Sequence, residues 1–104
     1  MKITNNLYDL ADKVEALKHY RFAEQMRGAA IGITNNISEG SGSSSDKDFA
    51  NFLNIAHRSL FECVNLLYNY KMRNYITEND FTKNYDDLFI LSKQITKFKK
   101  SLII

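Results

Sequence analysis

The 104-residue sequence contains no proline, one cysteine and four glycines. The absence of proline, and of alternating apolar runs bounded by turn residues, gives no support for a β-sheet. The single cysteine, Cys63, excludes an internal disulfide. It falls at an apolar periodic position, so we expect a buried, reduced thiol.

Long apolar runs are also missing. The N-terminal segment MKITNNLYDLADKVEAL is interrupted by Asn, Asp, Lys and Glu, so we do not expect a signal peptide, and no segment approaches the length of a membrane span. We therefore expect a cytoplasmic protein with no membrane partner. Hydrophobic residues (44%) and charged residues (25%) exclude disorder on composition, and a net charge of +2 does not by itself identify a nucleic-acid-binding protein.

Four segments carry apolar residues at alternating steps of four and three, which is the period of an amphipathic helix. They are Ile3 to Leu17, Phe22 to Ile37, Phe49 to Asn74 and Phe81 to Leu102. The connections between them are short, which favours antiparallel neighbours. The sequence therefore predicts one all-α domain over residues 1–104, an antiparallel up-down four-helix bundle.

The serine-rich segment between helices two and three is interpreted as helix punctuation. Gly40 is predicted to end helix two in a left-handed conformation, and Ser45 to cap helix three. Thr77 is predicted to cap helix four in the same way. A phosphate-binding loop is disfavoured because no lysine directly follows a glycine, as the pattern GxxxxGK[ST] requires, and because Asp46 and Asp48 would repel an anion there.

The stretch QMRGAAIGITNNISEGSGSSSDKDFANFLNIAHRSLFE, Gln25 to Glu62, resembles the signature of the bacterial four-helix-bundle family of 23S rRNA intervening-sequence proteins. The matching positions are Gln25, Arg27, Ala29, Ala30, Ile33, Asn36, Ile37, Glu39, Gly40, Phe49, Phe52, Leu53, Ile55, Ala56, Ser59 and Glu62. The sequence departs from the signature at Gly28, where a second arginine is usual, and at Gly32, Thr34, Ser38 and Arg58.

This resemblance implies a four-helix bundle and, as in some members, a ring-shaped homopentamer. A related bundle, the accessory variability protein of diversity-generating retroelements, binds nucleic acid and a reverse transcriptase. The resemblance therefore makes RNA or DNA the leading partner class, with a reverse transcriptase as a further candidate. It implies no reaction.

Four polar residues of the signature are predicted to form a structural hydrogen-bonding network. Asn36 and Glu39 share a face of helix two, and Ser59 and Glu62 share a face of helix three. Facing each other across antiparallel helices, they would satisfy one another and fix the helix register. The alternative is that Glu39 and Glu62 act as metal ligands or as an acid/base pair.

Nothing in the sequence supports that catalytic alternative strongly. No Glu-x-x-His motif occurs, the histidines His19 and His57 stand alone, and no Ser, His and Asp grouping fits a nucleophile assembly. We therefore expect no enzyme, and no catalytic, cofactor-binding or metal site.

Helix three carries a second apolar stripe, rotated away from its core-facing residues. Its members are Phe61, Val64, Tyr68, Met72 and Tyr75. Either this stripe widens the core face, or it forms a subunit interface. With the rings that the resemblance implies, the second reading is favoured.

The end of helix four is basic: Leu88 to Ile104 contains four lysines and no acid. Lysines near a helix C-terminus offset its dipole or solvate a surface, and they can equally contact phosphates. The candidate nucleic-acid-binding residues are Arg27, Arg58, Lys93, Lys97, Lys99 and Lys100. The sequence thus favours a non-enzymatic, homo-oligomeric nucleic-acid-binding accessory protein. The alternative is a protein-interaction scaffold without a nucleic-acid partner.

Overall fold

A computed structural model describes residues 1–103, which form four α-helices joined by short connections. The helices are α1 (Lys2–Ala16), α2 (Tyr20–Ser41), α3 (Asp46–Met72) and α4 (Glu78–Leu102). Their long axes give a molecule with extents of 45 × 21 × 19 Å. The predicted all-α architecture is confirmed. None of the helices within residues 1–103 combines the length and the apolar character that a membrane crossing requires.

Contacts between α2 and α3 run in opposite directions along the two helices. Near the connection, Gly40 of α2 lies against Phe49 of α3. At the other end, the Tyr70 hydroxyl of α3 donates a 2.6 Å hydrogen bond to the carbonyl oxygen of Phe22 in α2. The two helices are therefore antiparallel.

The same holds for α3 and α4. Tyr68 packs on Phe81 close to the α3–α4 connection, with 5.1 Å between ring centroids, whereas Phe49 and Phe98 meet at the far end at 5.2 Å. Of the neighbouring pairs, α2 and α3 share the most extensive contact, and α1 and α4 share the least.

Both predicted N-caps are present. The Ser45 hydroxyl accepts a 3.1 Å hydrogen bond from the backbone N–H of Asp48, and the Thr77 hydroxyl accepts a 3.0 Å bond from the backbone N–H of Asp80. Each cap satisfies one amide that the first helical turn leaves without a partner. The acidic residues in these first turns also interact favourably with the helix dipole.

The prediction for Gly40 is wrong. Gly40 is a buried residue inside α2, which continues to Ser41, and no glycine of the described chain has a positive φ. The left-handed positions are Lys18 (φ 70°) and Asn74 (φ 60°), in the first and third connections. Glycine is needed at position 40 for space, because a Cβ there would lie 2.7 Å from Phe49 Cδ1 and 2.9 Å from Phe52 Cβ.

One apolar core runs through the bundle and draws residues from all four helices. Tyr70 is fully buried in it, and burial raises the pKa of its hydroxyl. Cys63 is also fully buried, as predicted, and burial, with a smaller contribution from the charge of Glu62, raises the pKa of its thiol to about 12. At neutral pH the thiol is protonated, which makes it a poor nucleophile and a poor metal ligand.

A candidate nucleic-acid interface on α3 and α4

Three of the candidate lysines lie together on the exposed side of α4. Lys93, Lys97 and Lys100 are all exposed, and at 3.6 residues per turn they fall within about 60° of one another around the helix. Within residues 1–103 none of them takes part in an ion pair. We call these three residues the α4 lysine face.

Lys99 does not belong to this face. It is half-buried on the side of α4 that packs against α3, where its ammonium group donates a 2.8 Å hydrogen bond to Asn54 Oδ1. The bond holds Lys99 between two helices, so its prediction as one of a row of phosphate contacts is corrected to a helix-joining role. Arg58, in contrast, is exposed on α3 and makes no ion pair with any residue that the structure describes.

Arg27 was predicted to contact phosphate, but its guanidinium group is already occupied by ion pairs within the protein. Its guanidinium group contacts three carboxylates: Asp12 at 2.7 Å, Glu15 at 3.0 Å and Glu24 at 2.7 Å. These hydrogen bonds raise the pKa of Arg27 above its usual value, which is already high. Two of the partners lie on α1, so Arg27 fastens α1 to α2. The three negative charges around it would repel a phosphate.

The predicted polar network does not form. The Asn36 amide donates to the carbonyl oxygen of Gly32 in its own helix, at 2.7 Å. Glu39 and Glu62 are exposed, and no hydrogen bond joins either of them to Asn36 or Ser59 in the described part of the chain. The two carboxylates point to water because burying a charged group between helices would cost free energy that remaining in water does not.

Ser59 has a packing role instead. A Cβ built on Gly32 would lie only 2.6 Å from Ser59 Oγ, so the two helices approach closely where these residues meet. The glycine at position 32, which departs from the signature, fits this close approach.

The predicted interface stripe is divided by the structure. Phe61, Tyr68 and Met72 are 58%, 44% and 78% exposed, whereas Val64 and Tyr75 are half-buried and pack against the core. Tyr75 also stacks on His19, with 4.0 Å between ring centroids. Val64 and Tyr75 therefore widen the core face, whereas Phe61, Tyr68 and Met72 remain at the surface, and the subunit interface predicted for them stays a prediction.

Aromatic residues of α4 extend this surface. A groove of about 320 Å³ lies between α3 and α4, and we call it the aromatic groove. It is lined by Leu60, Phe61, Val64, Tyr85, Phe89 and Ser92. Phe89 is 52% exposed and its ring lies 8° from parallel to that of Tyr85. Phe89 was not identified from the sequence, because it falls outside the core period of α4. The one indication in the sequence was its position four residues before Lys93, one helical turn away.

The groove has a polar edge. His57 Nε2 lies 2.7 Å from the Ser92 hydroxyl oxygen, and the His57 ring stacks on Phe61 with 4.8 Å between centroids. Burial, and then the charge of Lys99, lower the pKa of His57, so the ring is neutral at pH 7. No carboxylate hydrogen-bonds to His57 within the described residues, so the pair lacks the acidic partner that orients the histidine of a nucleophile triad.

The groove adjoins the α4 lysine face. The Lys93 ammonium lies 4.5 Å from the centre of the Phe89 ring, a cation–π contact. Residues 1–103 hold no cluster of three or more His, Cys, Asp or Glu side chains with the spacing for a metal ion. Exposed aromatic rings therefore lie beside lysines that form no ion pair within the described residues.

The fold and this surface together define a four-helix bundle with a basic, aromatic face. The sequence profile described as 23S rRNA-intervening sequence protein matches residues 1–97. The chain belongs to this family. Neither a curated protein nor a solved structure matches it.

Proposed function

We propose that this chain is a non-enzymatic, cytoplasmic nucleic-acid-binding protein that acts as a homo-oligomer. The observation that carries the proposal is the α4 lysine face, with three exposed ammonium groups that have no ion-pair partner in the described structure. Arg58 adds a fourth exposed charge on the neighbouring helix. Cationic side chains of this kind contribute affinity by releasing counterions from phosphates.

Self-association is the second part of the proposal. Met72 and Tyr68 are exposed near the C-terminal end of α3, and apolar groups in such positions are often covered by a partner. Because the chain resembles a bacterial family, some members of which form homopentameric rings, we expect the same assembly here. A ring would repeat the α4 lysine face once in each subunit, so that weak contacts act together. A reverse transcriptase is the protein partner that the same resemblance suggests.

The proposal is tested by measuring affinity for RNA and DNA over a range of salt concentrations. Each phosphate neutralised contributes about 0.9 to the log-log salt slope on duplexes and about 0.7 on single strands. Replacing Lys93, Lys97 and Lys100 with Gln should therefore weaken binding and reduce the slope by about 2 per chain on a single strand. Sequence preference should not change, because phosphate contacts carry no base information.

The matched control replaces three other exposed cations, Lys18, Arg21 and Lys83, with Gln. They lie toward the opposite end of the bundle, at the first connection, the start of α2 and the start of α4. This variant has the same net charge and should keep most of the affinity. A parent protein that binds neither RNA nor DNA at about 50 mM salt would contradict the proposal and favour the scaffold. Light scattering on a sizing column tests self-association in the same buffers, and a monomeric parent would contradict it.

A further inference from the structure

The aromatic groove presents ring surfaces to solvent from two different helices. Phe61 on α3 is 58% exposed and Phe89 on α4 is 52% exposed, and both line the groove. Exposed apolar residues that form a contiguous patch, unlike single ones, often mark an interaction site. Aromatic rings that flank a groove in this way suit a flat ligand, because stacked or edge-to-face rings interact favourably.

The charges around the groove favour a ligand that is flat and also negatively charged. Lys93 lies over the Phe89 ring at 4.5 Å, and Lys97 and Lys100 continue from it along α4. No acid occurs in α4 after Asp87. A chain of phosphates would therefore follow α4 from Lys93 toward its C-terminus, while Asp86 and Asp87 oppose an anion in the other direction.

The groove edge also holds groups suited to a nucleobase. The Ser92 hydroxyl lines the groove, and a hydroxyl can both donate and accept hydrogen bonds. Its neighbour His57 is neutral at pH 7. A heterocyclic base presents donors and acceptors at its edge and an apolar surface on each face. Both requirements are met here by one groove.

We propose that the aromatic groove stacks an unpaired nucleobase of a single-stranded nucleic acid, whose phosphates run along the α4 lysine face. This inference rests on the proposed function and narrows it to single strands. Bases within a duplex are already stacked on each other, so their faces cannot reach Phe61 or Phe89. In a single strand the faces are free, and stacking on aromatic side chains contributes to affinity with little dependence on sequence.

The test compares two strands that differ only in their bases. One is a strand of about 12 deoxythymidines, and the other is an abasic strand of the same length and charge. Fluorescence anisotropy with the parent protein should show at least about fivefold tighter binding of the intact strand. The Phe61→Leu/Phe89→Leu variant should bind both strands equally, with the salt slope unchanged, because its lysines are intact.

Two further variants serve as controls. Phe89→Tyr retains an aromatic ring and should retain the preference for the intact strand. Tyr20→Leu removes an aromatic residue that is 59% exposed at the start of α2, away from the groove, and should also leave the preference intact. Far-UV circular dichroism checks that each variant has the parent's helix content.

The possible outcomes separate this inference from the broader proposal. If the parent binds both strands equally well, the groove does not stack bases, although the α4 lysine face still binds phosphates. If neither strand binds, both proposals are wrong. If the double leucine variant loses the preference and also changes its oligomeric state, the groove is a contact with a second copy of the chain, and the stacking inference is overturned.

Discussion

The two sides of α3 are built from different kinds of residue. Toward α2, Phe52 and Ser59 meet glycines 40 and 32 of that helix, and Ala56, one turn from each, is fully buried. Toward α4, Phe61 and Tyr68 leave about half of their surfaces in water. One side is a close-packed seam, which we call the α2–α3 seam, and the other is a partly open groove.

This contrast separates what the family signature encodes from what it does not. Ser59, Ala56 and Phe52 are signature positions, and all of them lie on the α2–α3 seam. Asn36, another signature residue, bonds to the backbone of its own helix beside that seam. Phe61, Phe89 and the α4 lysine face lie outside the matching positions. These signature positions therefore describe how two helices approach, whereas the residues of the candidate binding surface lie outside the matching positions.

The largest effect is expected from a substitution that disrupts the packing of the α2–α3 seam. Ala56 is completely buried, so Ala56→Leu inserts three carbon atoms where neighbouring side chains leave no room. Such overpacking should lower the free energy of unfolding by roughly 1 to 3 kcal/mol, measured by urea denaturation. Phe61→Leu, five residues later on the groove side, is the control and should change it by no more than about 0.5 kcal/mol. Equal losses in both variants would show that the two sides of α3 are packed alike.

A smaller effect is expected from a pair of glycine substitutions within α2. Gly40→Ala places a methyl group 2.7 Å from Phe49 Cδ1. The resulting overpacking should cost roughly 1 to 3 kcal/mol, more than the gain in helix propensity of about 1 kcal/mol, so the variant should be less stable than the parent. Gly28 has nothing within 4 Å of the added carbon, so Gly28→Ala should stabilise the protein by about 0.5 to 1 kcal/mol. Thermal or urea unfolding measures both. A stabilised Gly40→Ala variant would mean that the seam yields easily at its end.

Local features were predictable from the sequence, and features that depend on distant residues were not. The caps at Ser45 and Thr77 were predicted because each bonds to an amide three residues away. The environment of Arg27 was not, since two of its carboxylate partners, Asp12 and Glu15, lie on another helix.

The prediction of a left-handed conformation for Gly40 was wrong for a similar reason. A glycine near the end of an apolar period usually closes a helix, but here aromatic residues of α3 require its small size inside α2. The aromatic groove was not predicted: the period of α3 places Phe61 outside the core, but it was interpreted as part of a subunit interface. Phe89 becomes informative only when α4 is laid beside α3. Sequence periodicity gives each helix its faces, and packing decides which faces meet.

The smallest expected effect concerns pH, because the groove side of α3 carries a titratable histidine, His57. Burial and Lys99 lower the pKa of His57 in the folded protein, so below about pH 6.5 the unfolded chain binds a proton there more readily than the folded one. Stability should therefore decrease as the pH falls from 7 through this range. The decrease should be smaller in His57→Gln, which retains a polar side chain near Ser92 but does not titrate. Urea midpoints measured at several pH values for both proteins make the comparison. Parallel pH profiles would show that His57 titrates alike in the folded and unfolded chains, and that the groove is as open to water as a free surface.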